Sequence, residues 1–156
     1  MSVEWRGNPQ ATSQMRWAIT QGVNAYLLVV ERALKVQLGK PGTGRIYRIG
    51  KGRKGAKTMR KQGLHQASAP GQPPAVNTGT LRRSWQIGGP TGAKVRKYST
   101  PDRIGMQLGS PVRYARIEGN FGRVRARPYI KPTIEAVRDL FEPTMARAMR
   151  RVARLG

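Results

Sequence analysis

The sequence contains no cysteine, which excludes disulfides, thiolate zinc sites and cysteine nucleophiles. Acidic residues are scarce as well: seven Asp and Glu, with a single His, leave few groups for acid–base catalysis or metal binding. No apolar run approaches the roughly 18 residues needed to cross a bilayer, and the first residues form no apolar secretory segment. We therefore expect no metal, no cofactor and no membrane contact.

Positive charge dominates what is present. Thirty Lys and Arg give a formal net charge of +23 and a pI near 11.8. Such an excess is tolerated where a polyanion, an acidic partner or an assembly neutralises it. Hydrophobic residues make up 38% of the 156 residues, which suits one domain with a modest core and long polar loops. The alternative to a nucleic-acid partner is a solvated basic surface with no specific partner.

Two helices are predicted from apolar spacing. The first covers 10–38 and stops at Gly39 and Pro41. The second covers 131–155, with a kink or break expected at Pro143. The apolar stripe of the first helix consists of Met15, Ile19, Val23, Tyr26, Val30, Leu34 and Leu38.

A small antiparallel sheet is predicted between the helices. Its candidate strands are 81–87, 93–98, 104–109 and 112–117, and a further short strand is expected at 44–49. The chain thus predicts an α+β fold: a long N-terminal helix, a small antiparallel sheet with a long basic loop, and a C-terminal helix. We expect residues 1–156 to form one domain, with a flexible basic and Pro-rich region at about 40–80.

A run of six basic residues between 51 and 61 contains no acid. Glycines interrupt it, so it suits a loop that contacts DNA, although a solvated disordered loop is the alternative. Arg82 and Arg83 are second candidates for the same role. The residues predicted to face DNA or a partner in and beside the run are Arg45, Arg48, Lys51, Arg53, Lys54, Lys57, Arg60 and Lys61.

Catalytic chemistry is poorly represented. Glu135 and Asp139 stand four residues apart on the second predicted helix, but nothing in the sequence provides the desolvated cleft that an acid–base pair requires. His65 could formally join a serine and Asp102, yet no nucleophile elbow, P-loop or dinucleotide fingerprint is present. The sequence therefore disfavours an enzyme, including a DNA-modifying one.

Three segments carry a family resemblance. Residues 65–84 read HQASAPGQPPAVNTGTLRRS and resemble a signature of the neck and tail-completion proteins of long-tailed bacteriophages, often described as tail components. Residues 114–118 (YARIE) and 127–132 (RPYIKP) are similar to two further segments of that family, in the same order. Together the similarity covers roughly 40–155. Asn77 departs from the pattern, since an Asp is usual there, and 118–122 replace a tighter turn.

The resemblance implies a non-enzymatic virion protein, assembled in the host cytoplasm, that forms a ring at the head–tail junction. Such a ring, six- or twelve-fold by analogy, joins the connector and head-completion proteins to the tail and lets double-stranded DNA pass. The resemblance also implies that Pro70, Pro73 and Pro74 stiffen an arm that contacts the neighbouring subunit. The alternatives are a tail terminator ring and a nucleic-acid-binding module without sequence specificity.

Overall fold

The computed structural model describes residues 9–48, 64–75, 79–88, 92–100, 103–118 and 125–154. The predicted α+β class is confirmed. The helices are α1 (Pro9–Gln37), α2 (Thr80–Arg83), α3 (Ile130–Val137) and α4 (Phe141–Ala153), with 3-10 helices at Arg113–Glu118 and Arg138–Leu140; the strands are β1 (Ile46–Arg48), β2 (Leu64–Gln66), β3 (Lys94–Ser99) and β4 (Ile104–Gly109).

Helix α1 matches the prediction to within a residue at each end. Its last turn closes through the Leu38 amide, which donates to the Leu34 carbonyl at 2.9 Å. The apolar stripe is buried only in its C-terminal part: Leu34 and Leu38 are 2% exposed, whereas Met15 is 59% exposed. The C-terminal part of α1 packs against Trp85 and Tyr129, whereas α4 lies along the earlier part, where Met145 contacts Gly22.

The hydrophobic core lies at the C-terminal end of α1. Leu34, Leu38, Trp85 and Tyr129 form it, and Leu108 of β4 packs against it. The Trp85 and Tyr129 rings meet edge to face with centroids 6.0 Å apart, a favourable aromatic geometry. The core therefore ties α1 to the segment after α2, to β4 and to the start of α3.

The C-terminal helix is broken, as Pro143 predicted. The break lies at Arg138–Leu140, just before the proline. Proline has no N–H to donate to the carbonyl four residues earlier, and its ring crowds that carbonyl, so the preceding turn leaves the α-helical path. The Tyr26 hydroxyl donates to the Val137 carbonyl at 3.2 Å and so satisfies one acceptor at the break. Tyr26 also packs edge to face on Phe141, with ring centroids 5.0 Å apart.

Two of the predicted strands are wrong. Residues 81–87 begin within α2 and continue as a turn, and Ile87 forms only an isolated bridge with Ala93. Leu81 and Trp85 both reach the core at helical spacing, which is why the helical turn wins. Residues 112–117 are largely a 3-10 helix. The predicted strands 93–98 and 104–109 are confirmed, but the described residues contain two separate two-stranded sheets, β1–β2 and β3–β4.

Candidate nucleic-acid interface

The β3–β4 hairpin presents a basic and aromatic outer face. In its antiparallel register Lys94, Arg96 and Tyr98 lie opposite Gly109, Gln107 and Gly105. Because side chains alternate along a strand, these three share one face. All three are exposed. The opposite face carries Val95 and Leu108, which are half-buried on the side of the core.

Glycine at position 105 allows the Tyr98 ring to lie against the neighbouring strand. A Cβ atom at 105 would overlap the ring and hydroxyl of Tyr98. The ring thus covers Gly105 and remains 44% exposed, in line with the two cations on β3. An exposed aromatic face beside Lys and Arg is the arrangement on which nucleic-acid bases stack while the cations contact phosphate. The same contact also protects a weak glycine position in the strand.

Helix α1 fixes the far end of this hairpin. The Arg16 guanidinium donates to the Ser99 hydroxyl at 2.8 Å and to the Thr100 carbonyl at 2.9 Å. The chain then reverses, and the Thr100 amide donates to the Arg103 carbonyl at 2.7 Å. The outer face therefore stands on a hairpin held at one end by the core and at the other by Arg16.

Sequence reasoning missed this face. The signal was present as the alternation of Lys94, Arg96 and Tyr98 with Val95 on a strand that was itself predicted. What the sequence does not contain is the register that sets Gly105 under Tyr98, since that depends on how β3 pairs with β4.

The predicted basic loop is placed only at its ends. Arg45 is exposed immediately before β1, and Arg48 is the last residue of β1. Strand β2 pairs with β1 in antiparallel register, with Arg48 opposite Leu64. The chain between them joins these two paired strands, and the predicted residues Lys51, Arg53, Lys54, Lys57, Arg60 and Lys61 lie outside the described residues.

Arg82 and Arg83 lie on α2 and both are exposed. The Arg82 guanidinium lies beside Gly39, at the C-terminal end of α1, where a cation interacts favourably with the helix dipole. The following residue, Ser84, is 1% exposed, and its hydroxyl lies 2.7 Å from the Ser110 hydroxyl. Along the chain, a turn separates these two arginines from the β3–β4 hairpin. Both remain exposed, so the prediction that they contact DNA or a partner stays a prediction.

The Pro-rich segment contains a turn near its start. Pro70 and Gly71 occupy the centre of a turn in which the Gln72 amide donates to the Ala69 carbonyl at 3.1 Å. Gly71 has a φ of 80°, the left-handed conformation that such a Pro-Gly turn requires. The Gln72 side chain also accepts a hydrogen bond from Thr43 at 2.9 Å, which ties the turn to its own chain. Pro73 and Pro74 are half-buried, so the arm toward a neighbour stays a prediction.

Most of the charged side chains on the surface are positive. Among the described residues eighteen Lys and Arg are exposed, against three exposed acids. Glu31 is instead buried, at 7% exposed; it pairs with Lys35 and accepts a hydrogen bond from the Ile87 amide at 3.3 Å. Since both of its oxygens have partners within the fold, Glu31 acts as a structural tie between α1 and the chain after α2.

The two acids considered for catalysis, Glu135 and Asp139, line different surface depressions. Glu135 pairs with Lys131 at 4.0 Å on the surface, and Asp139 is exposed on the 3-10 turn beyond α3. His65 lies in β2 opposite Tyr47, and Asp102 lies outside the described residues. Within the part of the chain that the structure covers, no group of three or more His, Asp and Glu could hold a metal ion. No helix in that same part is long and apolar enough to cross a membrane.

Fold and surface together define a small, strongly basic α+β protein with a basic and aromatic hairpin face. Comparison with protein-family models, with curated proteins and with solved structures found no match to this chain.

Proposed function

We propose that this protein is a non-enzymatic structural component of a tailed-bacteriophage virion. In this proposal it forms a ring at the head–tail junction, joins the connector to the tail and lets DNA pass. The observation that carries the proposal is the resemblance of three ordered segments, 65–84, 114–118 and 127–132, to neck and tail-completion proteins.

The charge supports a DNA-lined position for the ring. A net charge of +23 opposes the assembly of many copies, and a polyanion or acidic neighbours alongside the ring would favour it. Packaged DNA supplies that charge, and a passage through which DNA slides must bind it without reading its sequence. In this proposal DNA contacts the β3–β4 outer face, Arg45 and Arg48, and the basic residues that follow them.

Two of the three segments that resemble the phage family also contribute to the core of this fold. This is expected if the resemblance reflects a common domain structure. Residues 127–132 include the fully buried Tyr129 and the first residues of α3. The Tyr129 hydroxyl donates to the carbonyl of Ala115, within the second segment, at 2.9 Å. The two segments therefore meet at the core, so their joint presence in the sequence has a structural reason.

The proposal is tested by locating the protein. Immunogold labelling of virions should place gold particles at the head–tail junction, and negative-stain images of the full-length chain at high concentration should contain rings. Gold along the tail, or at its distal end, would contradict a head–tail position. Two results together would favour the tail terminator alternative. These are gold label at the head-proximal end of the tail, and separated DNA-filled heads that do not contain the protein.

A nucleic-acid-binding module is the second candidate, because Tyr98 stands exposed among cations on the hairpin face. Such a module should bind single-stranded RNA or DNA as a monomer and should be absent from virions. Monomeric mass at every concentration, together with no label on virions, would support this candidate over the ring.

A further inference from the structure

An apolar groove with a basic rim runs between α1 and α4. It encloses about 680 Å³, and its floor includes Trp17 and Leu28 of α1, which are 48% and 47% exposed. Arg147 and Arg151 of α4 line it and are both exposed. These arginines stand four residues apart and so lie on the same face of the helix. We call these four residues the Arg-rimmed groove.

An acidic and apolar surface lies at the junction of α3 and α4, where Lys131 and Arg138 are exposed as well. It contains all the exposed acids of the described residues. The three large apolar side chains beside them are between 43% and 48% exposed. This acidic corner consists of Glu135, Asp139 and Glu142 together with Ile134, Leu140 and Phe141.

The two surfaces complement each other in charge and in apolar character. We infer that the acidic corner of one copy of this chain docks in the Arg-rimmed groove of the next copy. The groove offers half-exposed Trp and Leu side chains with two cations. The corner offers half-exposed Ile, Leu and Phe side chains with three carboxylates, of which Glu135 also pairs with the neighbouring Lys131. On a chain with so few acids, their concentration at one exposed corner makes that corner the natural partner for a basic-rimmed groove of a second copy.

The proposed contact joins two different surfaces, one on each copy. Each copy therefore keeps one free surface to which a further copy can bind. Helix α4 has the acidic corner at its start and the arginines in its last two turns, so one copy cannot fill its own groove. A heterologous contact of this kind adds copies head to tail and closes into a ring when the rotation between copies allows it. The inference rests on the proposed function, since it names the surfaces by which the proposed ring would assemble.

Charge reversal on each side tests the docking without DNA, at about 0.3 M salt, where the overall repulsion between copies is screened beyond roughly 6 Å while charges in direct contact still interact. One variant combines Arg147→Glu and Arg151→Glu in the groove, and the other combines Glu135→Arg and Asp139→Arg at the corner. We expect each variant alone to self-associate at least about tenfold more weakly than the wild-type chain, because like charges would then face each other. An equimolar mixture should regain association, since each reversed surface then meets a reversed partner. Mass photometry and sedimentation velocity measure both.

A matched control reverses two arginines elsewhere. Arg113 and Arg116 are exposed on the 3-10 helix and belong to neither surface, so Arg113→Glu with Arg116→Glu makes the same change in net charge as the groove variant. This control should associate at least as well as the wild type. Equal loss in the control, or no recovery in the mixture, would overturn the docking. A wild-type chain that stays monomeric up to about 1 mM would overturn it as well and would leave the groove to an acidic partner protein.

The same preparations separate this inference from the proposed function. Gold label at the head–tail junction, with no recovery of association in the mixture of variants, would overturn the docking surfaces and leave the proposed function standing. Recovery in the mixture with no label on virions would support the docking surfaces and overturn the proposed function.

Discussion

Tyr129 is the residue on which the core depends most. Its side chain is wholly buried, its ring packs on Trp85, and its hydroxyl donates to the Ala115 carbonyl. The adjoining Thr133 is likewise buried and its hydroxyl donates to the Tyr129 carbonyl. One tyrosine therefore links the start of α3 to the 3-10 helix before it, with every polar atom of its side chain satisfied.

Tyr129→Phe should destabilise the protein by about 1–3 kcal/mol, because the half-buried Ala115 carbonyl loses its donor. Tyr129→Ala should cost about 3–5 kcal/mol, since a large cavity is added to the lost hydrogen bond. Urea denaturation followed by circular dichroism measures both. Tyr114→Phe is the control, because Tyr114 is 42% exposed, and its effect should stay within about 0.5 kcal/mol. Equal effects at 129 and 114 would contradict this view of the core.

Tyr26 gives the stability a pH dependence on the alkaline side. Burial raises its pKa above the ordinary 10.0, so the folded chain keeps the phenolic proton to higher pH than the unfolded chain does. The unfolded state then binds fewer protons above pH 10, and stability falls as pH rises. The contribution is fully present below pH 10 and is lost as pH passes through the raised pKa.

Tyr26→Phe should therefore lose less stability between pH 9 and pH 11 than the wild type loses, although it starts lower by about 0.5–1.5 kcal/mol for the missing hydrogen bond. Thermal unfolding at a series of pH values measures both quantities. Tyr114→Phe again controls for the removal of one phenol. Parallel stability curves for the wild type and Tyr26→Phe would contradict the assignment.

At the scale of elements, the spacing of apolar residues predicted the helix and the strand that are long enough to show a period. Apolar spacing along 10–38 gave α1, and alternation at 104–109 gave β4. Residues 81–87 misled, because Leu81 and Trp85 satisfy both patterns and only the core they share selects the helical turn. Strand β2 at Leu64–Gln66 was not predicted, since three residues carry no period and form a strand only by pairing with β1.

Of the candidate site, too, only the features set by local sequence could be predicted. The charge of the hairpin face could be foreseen from Lys94 and Arg96, but the placement of Tyr98 over Gly105 needs the β3–β4 register. The acidic corner could not be foreseen either. It arises because the chain bends at Arg138–Leu140 and leaves Leu140 and Phe141 exposed beside Asp139.

Gly42 is required where the chain leaves α1 and crosses the segment after β2. A Cβ atom there would overlap the carbonyl of Ala67, which belongs to the backbone and cannot rotate away. Gly42→Ala should therefore destabilise the protein by about 1–3 kcal/mol, despite the lower chain entropy of alanine in the unfolded state.

The control for this change is Gly109→Ala. At position 109 the nearest atom to an added Cβ is the Lys94 carbonyl oxygen, at 4.0 Å, which leaves room for a methyl group. Its effect on the free energy of unfolding should be within about 0.5 kcal/mol of zero, or slightly stabilising. A neutral Gly42→Ala variant would show that the two segments do not cross so closely.

For the whole molecule, charge governs how any nucleic acid is held. A net charge of +23 attracts every phosphate backbone, so tight binding at low salt carries little information by itself. The informative quantities are the slope of affinity with salt and the difference between single and double strands. Cations contact phosphate in both forms, whereas an aromatic ring stacks only on bases that are already unstacked.

Replacing Lys94 and Arg96 with Gln should therefore weaken binding equally for unrelated duplex sequences. If both contact phosphate, the slope of log affinity against log salt should become shallower by about 1.8, since each neutralised phosphate contributes roughly 0.9. Tyr98→Ala should weaken single-strand binding by about 1–3 kcal/mol and leave duplex binding nearly unchanged. Arg150→Gln with Arg154→Gln removes the same charge from the end of α4 and should leave the slope as in the wild type. Fluorescence anisotropy across a salt series measures all four proteins. An equal fall in slope for both double variants would mean that the charge acts as a whole and that the hairpin face is no particular contact, whereas a fall confined to the hairpin variant places the phosphate backbone on that face.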